Sequence, residues 1–494
     1  MKLRMRLESA ADRRYLAPLI GVALGSCLNF FLQNRTFAVT DDYRLIRMAR
    51  DLTPFVLEGH ARDEVSTGRL IPGIFFKLIW IGVNGIENLW YVRLLGIFFV
   101  AIAVAAFLIW FATVAGLVSR LSYFVLAVTG TLAMFLPGIA ATTTWATKTA
   151  HLLALPFAMA GGILAAGSRP TPIRWSLITL LIFCSVFSYQ HFAMLATLPV
   201  CVMLALRHND EVGIRPFIRL LSVASIGLSA VLVNVAFVRV LESDVLDRIS
   251  NRSLTNRLKE LVDVAAKASL LYVDRSVPLV MASGVIFCGV VLPVLLLRPR
   301  AWKLLVGIAI STMCSTFLTF GGDGESSFRM VLPTQLTLWL GLGVLAAFGL
   351  STRDTQPHWS FVIIPIVFSG ALLLALLNTG AVIRNDIAGR NARDWVHTKC
   401  QVKRLLDSGV REKSVVQLIP VELSGPNSVR SEIGLMASHV DWLFLDQWSL
   451  AIDESDYGNL LAQVPIHLSY NDPTSVVANP YVIDLRKPCS SSTP

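Results

Sequence analysis

Charged side chains are scarce in this chain, and long apolar runs take their place. Only 15% of the 494 residues are Asp, Glu, Lys or Arg, against about a quarter in soluble domains. Hydrophobic residues make up 54% of the chain, and the mean hydropathy is +0.62. Apolar runs long enough to cross a bilayer recur along most of the sequence. The composition excludes an ordinary soluble protein and predicts an all-α polytopic membrane protein.

The sequence also lacks several motifs, and their absence narrows the range of possible functions. The seven cysteines show no Cys-x-x-Cys or Cys/His spacing of a metal site, and no glycine-rich phosphate loop follows a strand. The apolar runs hold almost no ionisable side chains and no inverted repeat, both of which many transporters need. The net charge of +10 comes from basic residues scattered over short loops, which is typical of cytoplasmic loops and does not indicate nucleic-acid binding.

These basic loops predict the topology. The basic N-terminal segment favours a cytoplasmic N-terminus, and residues 15–32 are expected to be a retained signal anchor. The sequence predicts eleven spans and a C-terminus on the outer side. The spans are 15–32, 94–117, 121–136, 151–166, two short spans within 175–206 hinged on the outer side, 217–238, 278–297, 304–320, 331–350 and 361–377.

Two regions outside the spans are large. The first outer loop, residues 33–93, is expected to carry two surface helices, an amphipathic one near 45–52 and the short apolar segment Leu70–Val83. Together with the spans it forms a predicted membrane domain of residues 1–378. Residues 379–494 form a predicted extracytoplasmic domain.

The C-terminal domain is expected to be a small α/β unit. Ala381–Leu406 has the pattern of a helix, and Ser414–Glu422 and Trp442–Leu445 have that of strands. Cys400 and Cys489 would pair in an oxidising compartment.

Polar and charged residues collect at the predicted outer ends of the spans. The candidates are Asp41, Asp42, Arg44 and Arg69 in the first outer loop, Lys148 and His151 in a Thr-rich turn, Tyr189, Gln190 and His191 in the hinge, and Arg329 before the tenth span. This combination of carboxylates, cations and polar side chains is typical of a site that binds a lipid-phosphate-linked sugar at the membrane surface. Cations would stabilise the departing phosphate, and a carboxylate would remove the proton of the acceptor hydroxyl.

The order of these motifs resembles the GT-C superfamily of integral membrane glycosyltransferases, and more narrowly the glucosyltransferase II family that modifies bacterial O-antigen. The matching segments are Thr40-Asp41-Asp42-Tyr43-Arg44, Gly68-Arg69-Leu70-Ile71, Ser188-Tyr189-Gln190-His191, Phe328-Arg329-Met330 and the polar tail from Asn378-Thr379-Gly380. The chain departs from the family pattern at Leu70-Ile71, where a proline is expected sooner. The resemblance implies that Asp41 or Asp42 is the catalytic base.

It also implies a bacterial inner-membrane enzyme. The enzyme would transfer a hexose, expected to be glucose, from undecaprenyl phosphate to a surface glycan such as the O-antigen of lipopolysaccharide on the periplasmic face. The implied partners are the lipid bilayer, the polyprenyl-phosphate donor and the polysaccharide acceptor, with a donor synthase and a flippase in the same pathway and no nucleic acid. No protein cofactor is required, and a divalent metal is left open. The alternatives are a lipid-linked oligosaccharide flippase or other transporter, and an O-antigen polymerase or ligase.

Each candidate also has a structural interpretation. The two aspartates follow Thr40, where carboxylates stabilise a helix N-terminus. Arg44 in the first outer loop and Arg329 before the tenth span would contact lipid headgroups in this interpretation and not a substrate phosphate. Tyr189 and Gln190 would equally serve a tight turn, and the two histidines would equally be packed side chains.

Overall fold

The computed structural model is predominantly helical. It describes residues 2–34, 36–39, 42–43, 45–46, 64–80, 82–167, 171–206, 215–241, 254–269, 277–319, 328–351, 359–389, 391–392, 395–396, 398–400, 403, 416–419, 466–468 and 481–484.

Fourteen α-helices are assigned in these residues. They are α1 Lys2–Gln33, α2 Leu70–Trp80, α3 Leu89–Val114, α4 Arg120–Ala133, α5 Pro137–Thr144, α6 Ala154–Ala166, α7 Pro172–Tyr189, α8 Thr197–Leu206, α9 Arg215–Leu241, α10 Leu254–Ser269, α11 Val277–Leu297, α12 Trp302–Thr319, α13 Phe328–Gly349 and α14 Ser360–Ala381. Short 3₁₀ segments lie at Ile86–Asn88, Ala146–Leu153, Gln190–Ala196 and Pro299–Ala301, and a π-helical segment, Val382–Gly389, continues α14.

Seven helical stretches among the described residues are long and apolar enough to cross a membrane. They are Tyr15–Gln33, Ile86–Val114, Ala146–Ala166, Pro172–Leu206, Phe217–Leu241, Val331–Gly349 and Phe361–Gly389. An eighth results if the bent pair α4 and α5 is one span, and two shorter apolar helices occupy Met281–Leu297 and Trp302–Phe317. The structure thus supports a multi-pass helical membrane protein, and the number of eleven spans stays a prediction.

Helices α7 and α8 both pack on α6, as the predicted hinge requires. The backbone at Tyr189 is extended, with φ −164° and ψ 107°, so the helix is interrupted there. The adjacent glycines of α6, Gly161 and Gly162, lie against Ile182 and Ala196 respectively. A continuous helix would separate these two partners by about 21 Å, so the chain reverses between them.

The Thr-rich segment after α4 was expected to be an outer turn, and that expectation is wrong. Residues 137–144 form the buried helix α5, which is bent by 47° from α4. The hydroxyls of Thr142, Thr143 and Thr144 donate to the carbonyl oxygens four residues earlier, at 2.7, 2.8 and 2.9 Å. Because these bonds satisfy the hydroxyls within the helix, a threonine-rich segment can be buried among other helices.

Glycines allow α1 to approach α4 closely. A Cβ at Gly21 would lie 2.0 Å from the carbonyl oxygen of Ala127, and one at Gly25 would lie 2.9 Å from Thr131. Thr131 also donates from its hydroxyl to the carbonyl oxygen of Gly21 at 2.9 Å. Small residues at such spacing are the usual means by which membrane helices pack tightly.

The first outer loop is only partly described. An 11-residue helix at Leu70–Trp80 matches the second predicted surface helix. Of the first surface helix, Leu45 and Ile46 are helical and buried, and residues 47–52 lie outside the described residues.

The segment between α9 and α11, which the sequence predicts to be a polar outer loop, contains a helix. Helix α10 packs on α13, where Trp339 donates to the carbonyl oxygen of Ala268 at 3.2 Å. The side chain of Gln335 also donates to the last turn of α10, at the carbonyl oxygen of Lys267, over 3.5 Å. These donors satisfy carbonyl groups that a helix C-terminus leaves without partners.

The C-terminal region contains a three-stranded parallel sheet in the order β2-β1-β3. Strand β1 is Val416–Ile419, within the predicted strand Ser414–Glu422, and it pairs with β2 (Ile466–Leu468) and β3 (Tyr481–Asp484). The predicted strand Trp442–Leu445 lies outside the described residues, so the α/β domain stays a prediction. Cys400 is disulfide-bonded, and Cys489, its predicted partner, also lies outside the described residues.

Candidate functional site

Two carboxylates of the first outer loop are buried, and the same 3₁₀ segment binds both. Asp42 receives hydrogen bonds from Thr147, and Glu64 is in hydrogen-bond contact with His151, both within the eight residues Ala146–Leu153. Such segments seldom exceed about four residues. This one is eight residues long, and it connects the cluster of Asp42 with the cluster of Glu64.

Asp42 is fully buried and its two oxygens are both engaged. The backbone amide and the hydroxyl of Thr147 donate to Oδ1 at 2.9 and 2.7 Å, and the amide of Val39 donates to Oδ2 at 3.0 Å. The Nη2 atom of Arg93 lies 3.8 Å from Oδ2. Burial raises the pKa of the Asp42 carboxyl, while Arg93 and these donors oppose the rise.

Arg93 is held as firmly as its carboxylate partner. Its Nε donates to the carbonyl oxygen of Thr144 at 3.0 Å, and its Nη2 donates to that of Phe37 at 2.5 Å. The guanidinium also lies 3.7 Å from the centre of the Phe37 ring, a cation–π contact. The Asp42–Arg93 pair therefore joins the first outer loop to α3 and to the end of α5.

This geometry favours a structural role for Asp42. A raised pKa is what a base working near neutral pH requires. However, Oδ1 already accepts two hydrogen bonds, and Oδ2 lies beside the amide of Val39 and the guanidinium of Arg93, so an acceptor hydroxyl would have to enter between these two groups. Asp41, the other candidate for the base, lies outside the described residues together with Arg44.

The second cluster is centred on Glu64. Its Oε2 lies 3.0 Å from Nε2 of His151 and 3.2 Å from Nη1 of Arg69. Burial alone would raise the pKa of this carboxyl, but His151, Arg69 and Lys148 together hold its pKa well below its ordinary value. Glu64 is therefore ionised at neutral pH, within a group of cationic and imidazole side chains.

A glycine positions Arg69 in this cluster. Gly68 has a φ of +83°, a conformation that residues with a Cβ rarely adopt. Its carbonyl oxygen accepts a hydrogen bond from Asn234 of α9 at 2.6 Å, and a Cβ at this position would lie 2.5 Å from the same side chain. The turn before α2 thus directs the chain so that Arg69 reaches Glu64.

The hinge between α7 and α8 supplies the aromatic side of the cluster. The Tyr189 ring lies 5.4 Å from the His151 ring and 4.9 Å from the His191 ring, and the Arg69 guanidinium lies 5.6 Å from its centre. On the other side, Lys148 lies over the Trp145 ring at 4.9 Å. Aromatic faces beside cations form a surface suited to a sugar phosphate.

The structure thus brings five of the predicted site residues together around Glu64, namely Arg69, Lys148, His151, Tyr189 and His191. Gln190, the next residue after Tyr189, is half-buried and lies in the first turn of the 3₁₀ segment Gln190–Ala196. Arg329 lies in the first turn of α13, and its side chain is outside the described part of the chain. In the described residues, no group of three His, Cys, Asp or Glu side chains could hold a metal ion.

Sequence reasoning missed Glu64 and Arg93. Arg93 carried a signal, because it is the only charged residue between Glu87 and Arg120, and an isolated charge beside an apolar run usually has a partner. The signal for Glu64 was weaker: it lies five residues before Arg69 in a short polar turn. Nothing local indicated that its partner would be His151, 87 residues further along the chain.

The lowered pKa of Glu64 predicts a pH-dependent stability. A carboxyl whose pKa is lower in the folded state stabilises the fold above its ordinary value of 4.5, and this contribution disappears as the pH falls through the folded-state pKa. We expect the melting temperature of the purified protein to fall more steeply below about pH 5 than that of Glu64→Gln. Asp42 is present in both proteins, so its opposite contribution cancels in the difference, and repeating the comparison in a His151→Gln background removes the imidazole that is coupled to Glu64. Parallel curves from pH 7 to pH 3.5 would contradict the ion-pair assignment.

Comparisons with known proteins do not assign the chain to a family. No protein-family model matches it, and no curated protein sequence matches it. Its function therefore has to be argued from the cluster around Glu64 and from the motifs of the sequence.

Proposed function

We propose that this protein is a multi-pass membrane glycosyltransferase of the GT-C type. It transfers a hexose, glucose by resemblance to the glucosyltransferase II family, from a polyprenyl-phosphate donor to a surface glycan such as O-antigen. The reaction takes place on the periplasmic face of the bacterial inner membrane, with the N-terminus in the cytoplasm and the C-terminus outside. The observation that carries the proposal is the cluster of cations, imidazoles and a tyrosine around Glu64.

The charges of this cluster match the donor. Among the described residues of the cluster, Glu64 carries a negative charge, and Arg69 and Lys148 each carry a positive charge. A sugar linked to a lipid through a phosphodiester carries one negative charge. The two cations would bind this phosphodiester and would stabilise the second charge that develops on the phosphate as the sugar leaves.

The arrangement also suits the sugar itself. Tyr189 presents an aromatic ring between Arg69 and two histidines, so a hexose attached to the bound phosphate would lie against that ring. The base of the reaction is expected in or beside the first outer loop. Asp41 remains the carboxylate that the family resemblance indicates, because Asp42 is engaged with Thr147 and Arg93.

Glycan analysis tests this function. Mass spectra of the surface glycan should show the loss of one hexose per repeat unit in cells that lack the chain. Wild-type chain should restore that hexose. Asp41→Asn at unchanged membrane abundance then tests the base that the resemblance indicates, because loss of the hexose would assign that role to Asp41 and full restoration would assign it to another group. Loss of the whole polymer would support a flippase, polymerase or ligase instead. An unchanged glycan would contradict all of these assignments.

A second assay isolates the chemistry. Purified protein in lipid nanodiscs, given polyprenyl-phosphate glucose and isolated acceptor glycan, should release polyprenyl phosphate in proportion to the glucosylated acceptor. Release without an acceptor product would indicate a hydrolase. No release would contradict the assignment of this donor.

A further inference from the structure

The imidazole of His151 has one nitrogen bound and one nitrogen without a partner. Its Nε2 lies 3.0 Å from Oε2 of Glu64. Its Nδ1 has no hydrogen-bond partner among the described residues, although the side chain is only 1% exposed. Buried polar atoms nearly always have a partner, so an atom without one in a polar cluster indicates a ligand position.

The contact with Glu64 determines which nitrogen carries the proton. An ionised carboxylate can only accept hydrogen bonds, so the hydrogen lies on Nε2. In a neutral imidazole the lone pair is then on Nδ1. A carboxylate that orients an imidazole in this way prepares its other nitrogen to accept a proton and stabilises the imidazolium that forms.

Neighbouring side chains hold the ring in place. Phe76 and Tyr189 contact the ring edge to face, with interplanar angles of 77° and 84°. The charges of Arg69 and Lys148 disfavour a positive imidazole while the donor site is empty. A bound phosphodiester would offset these charges, so the imidazole becomes a stronger base when the donor is present.

We propose that Glu64 and His151, and not Asp41, form the proton-accepting pair of the transfer reaction; this inference rests on the proposed glycosyltransferase function. The acceptor hydroxyl donates to Nδ1 of His151 as its oxygen attacks the anomeric carbon. A bond forms between that oxygen and the carbon, the bond from the carbon to the phosphate oxygen breaks, and its electron pair stays on the lipid phosphate. The proton remains on the imidazole, balanced by Glu64, until it passes to water. His151 is the catalytic residue, and Glu64 is a positioning residue.

The test uses His151→Gln in the full-length protein in nanodiscs. The amide of glutamine can still donate to Glu64, so the fold and the donor site are kept while the base is lost. We expect kcat to fall by about 10²–10⁴-fold, with the KM for polyprenyl-phosphate glucose within about threefold of wild type. Ser185→Ala is the matched control. It removes a hydrogen bond to Ala154, at the end of the same 3₁₀ segment, without changing the cluster, and it should keep wild-type kcat.

Glu64→Gln provides a second, independent variant. Its amide oxygen would keep the Oε2 position, because Arg69 donates there as well, so Nε2 of His151 stays the donor while the negative charge that stabilises the imidazolium is lost. We expect kcat to fall by about 10²-fold and the acid limb of the pH–kcat profile to move to lower pH. A purely structural role for Glu64 would leave the position of that limb unchanged and would overturn the proposal.

Other outcomes separate this inference from the proposed function. If the wild-type protein transfers glucose and His151→Gln keeps its kcat, the pair is not the base and the glycosyltransferase assignment stands. A rise in donor KM alone would make His151 a phosphate ligand and overturn the proposal. If Asp41→Asn abolishes transfer while His151→Gln does not, Asp41 is the base. If the wild-type protein transfers nothing, the proposed function itself fails.

Discussion

Asp42→Ala is expected to leave little folded protein in the membrane. The substitution removes the partner of the buried Arg93 and leaves the donors of Thr147 and Val39 without an acceptor. Removing one member of a buried ion pair typically costs about 3–5 kcal/mol, and each abandoned donor adds about 1–3 kcal/mol. Detergent-solubilised protein should show a large fall in the monodisperse fraction by size-exclusion chromatography and a lower melting temperature.

A double substitution shows whether the unpaired charge causes the loss. Asp42→Ala/Arg93→Met removes both charges, so it should recover part of the folded fraction lost in Asp42→Ala. Recovery should be incomplete, because the donors of Thr147 and the acceptor carbonyl groups of Phe37 and Thr144 remain unsatisfied. If Asp42→Ala instead folds like wild type and loses only transfer activity, Asp42 is a catalytic group and its structural role is contradicted.

Arg69→Gln and Lys148→Gln are expected to lower activity strongly while the fold stays intact. Both residues surround the position assigned to the donor phosphate, and loss of one such charge-stabilising group typically costs about 10²–10³-fold in rate. We expect kcat/KM for polyprenyl-phosphate glucose to fall by about that factor in each variant, with the KM for the acceptor glycan unchanged. Steady-state assays at varied donor and acceptor concentrations measure both quantities.

Two controls make this prediction specific. Arg69→Lys keeps the charge and removes the planar fork, so it should recover only part of the activity if the phosphate is bound through two nitrogens. Arg300→Gln removes an exposed arginine from the turn before α12 and should leave kcat/KM unchanged. Equal losses in Arg300→Gln and Arg69→Gln would show a general effect of net charge and would contradict a phosphate site at the cluster.

Much of the helical architecture follows from local sequence. The apolar runs predicted most helix positions, because hydropathy over about 20 residues depends on composition and hardly on neighbours. The reversal near Tyr189 was also predictable, since one helix of that length would exceed the bilayer. The burial of Thr142, Thr143 and Thr144 was not, because their polarity indicates a loop and only the observed helix satisfies their hydroxyls internally.

Some residues of the candidate site were likewise predictable from local sequence, and others were not. Arg69, His151, Tyr189 and His191 were found from polarity at the ends of apolar runs, a property of each short segment. Glu64 was not, since its significance depends on a contact made across 87 positions of the chain. Asp42 and Asp41 were equivalent by sequence, and contacts with Thr147 and Arg93 show that Asp42 holds the loop to the bundle.

The sequence by itself determined that this protein is embedded in a membrane, because the free energy of transferring apolar side chains out of water is a sum over local composition. Only the tertiary structure decided which polar groups meet. Glu64 and His151 are brought together by the Gly68 turn and by the long 3₁₀ segment after α5. Electrostatic and hydrogen-bond energies depend on distances of a few ångströms, and no pattern within a single segment encodes those distances.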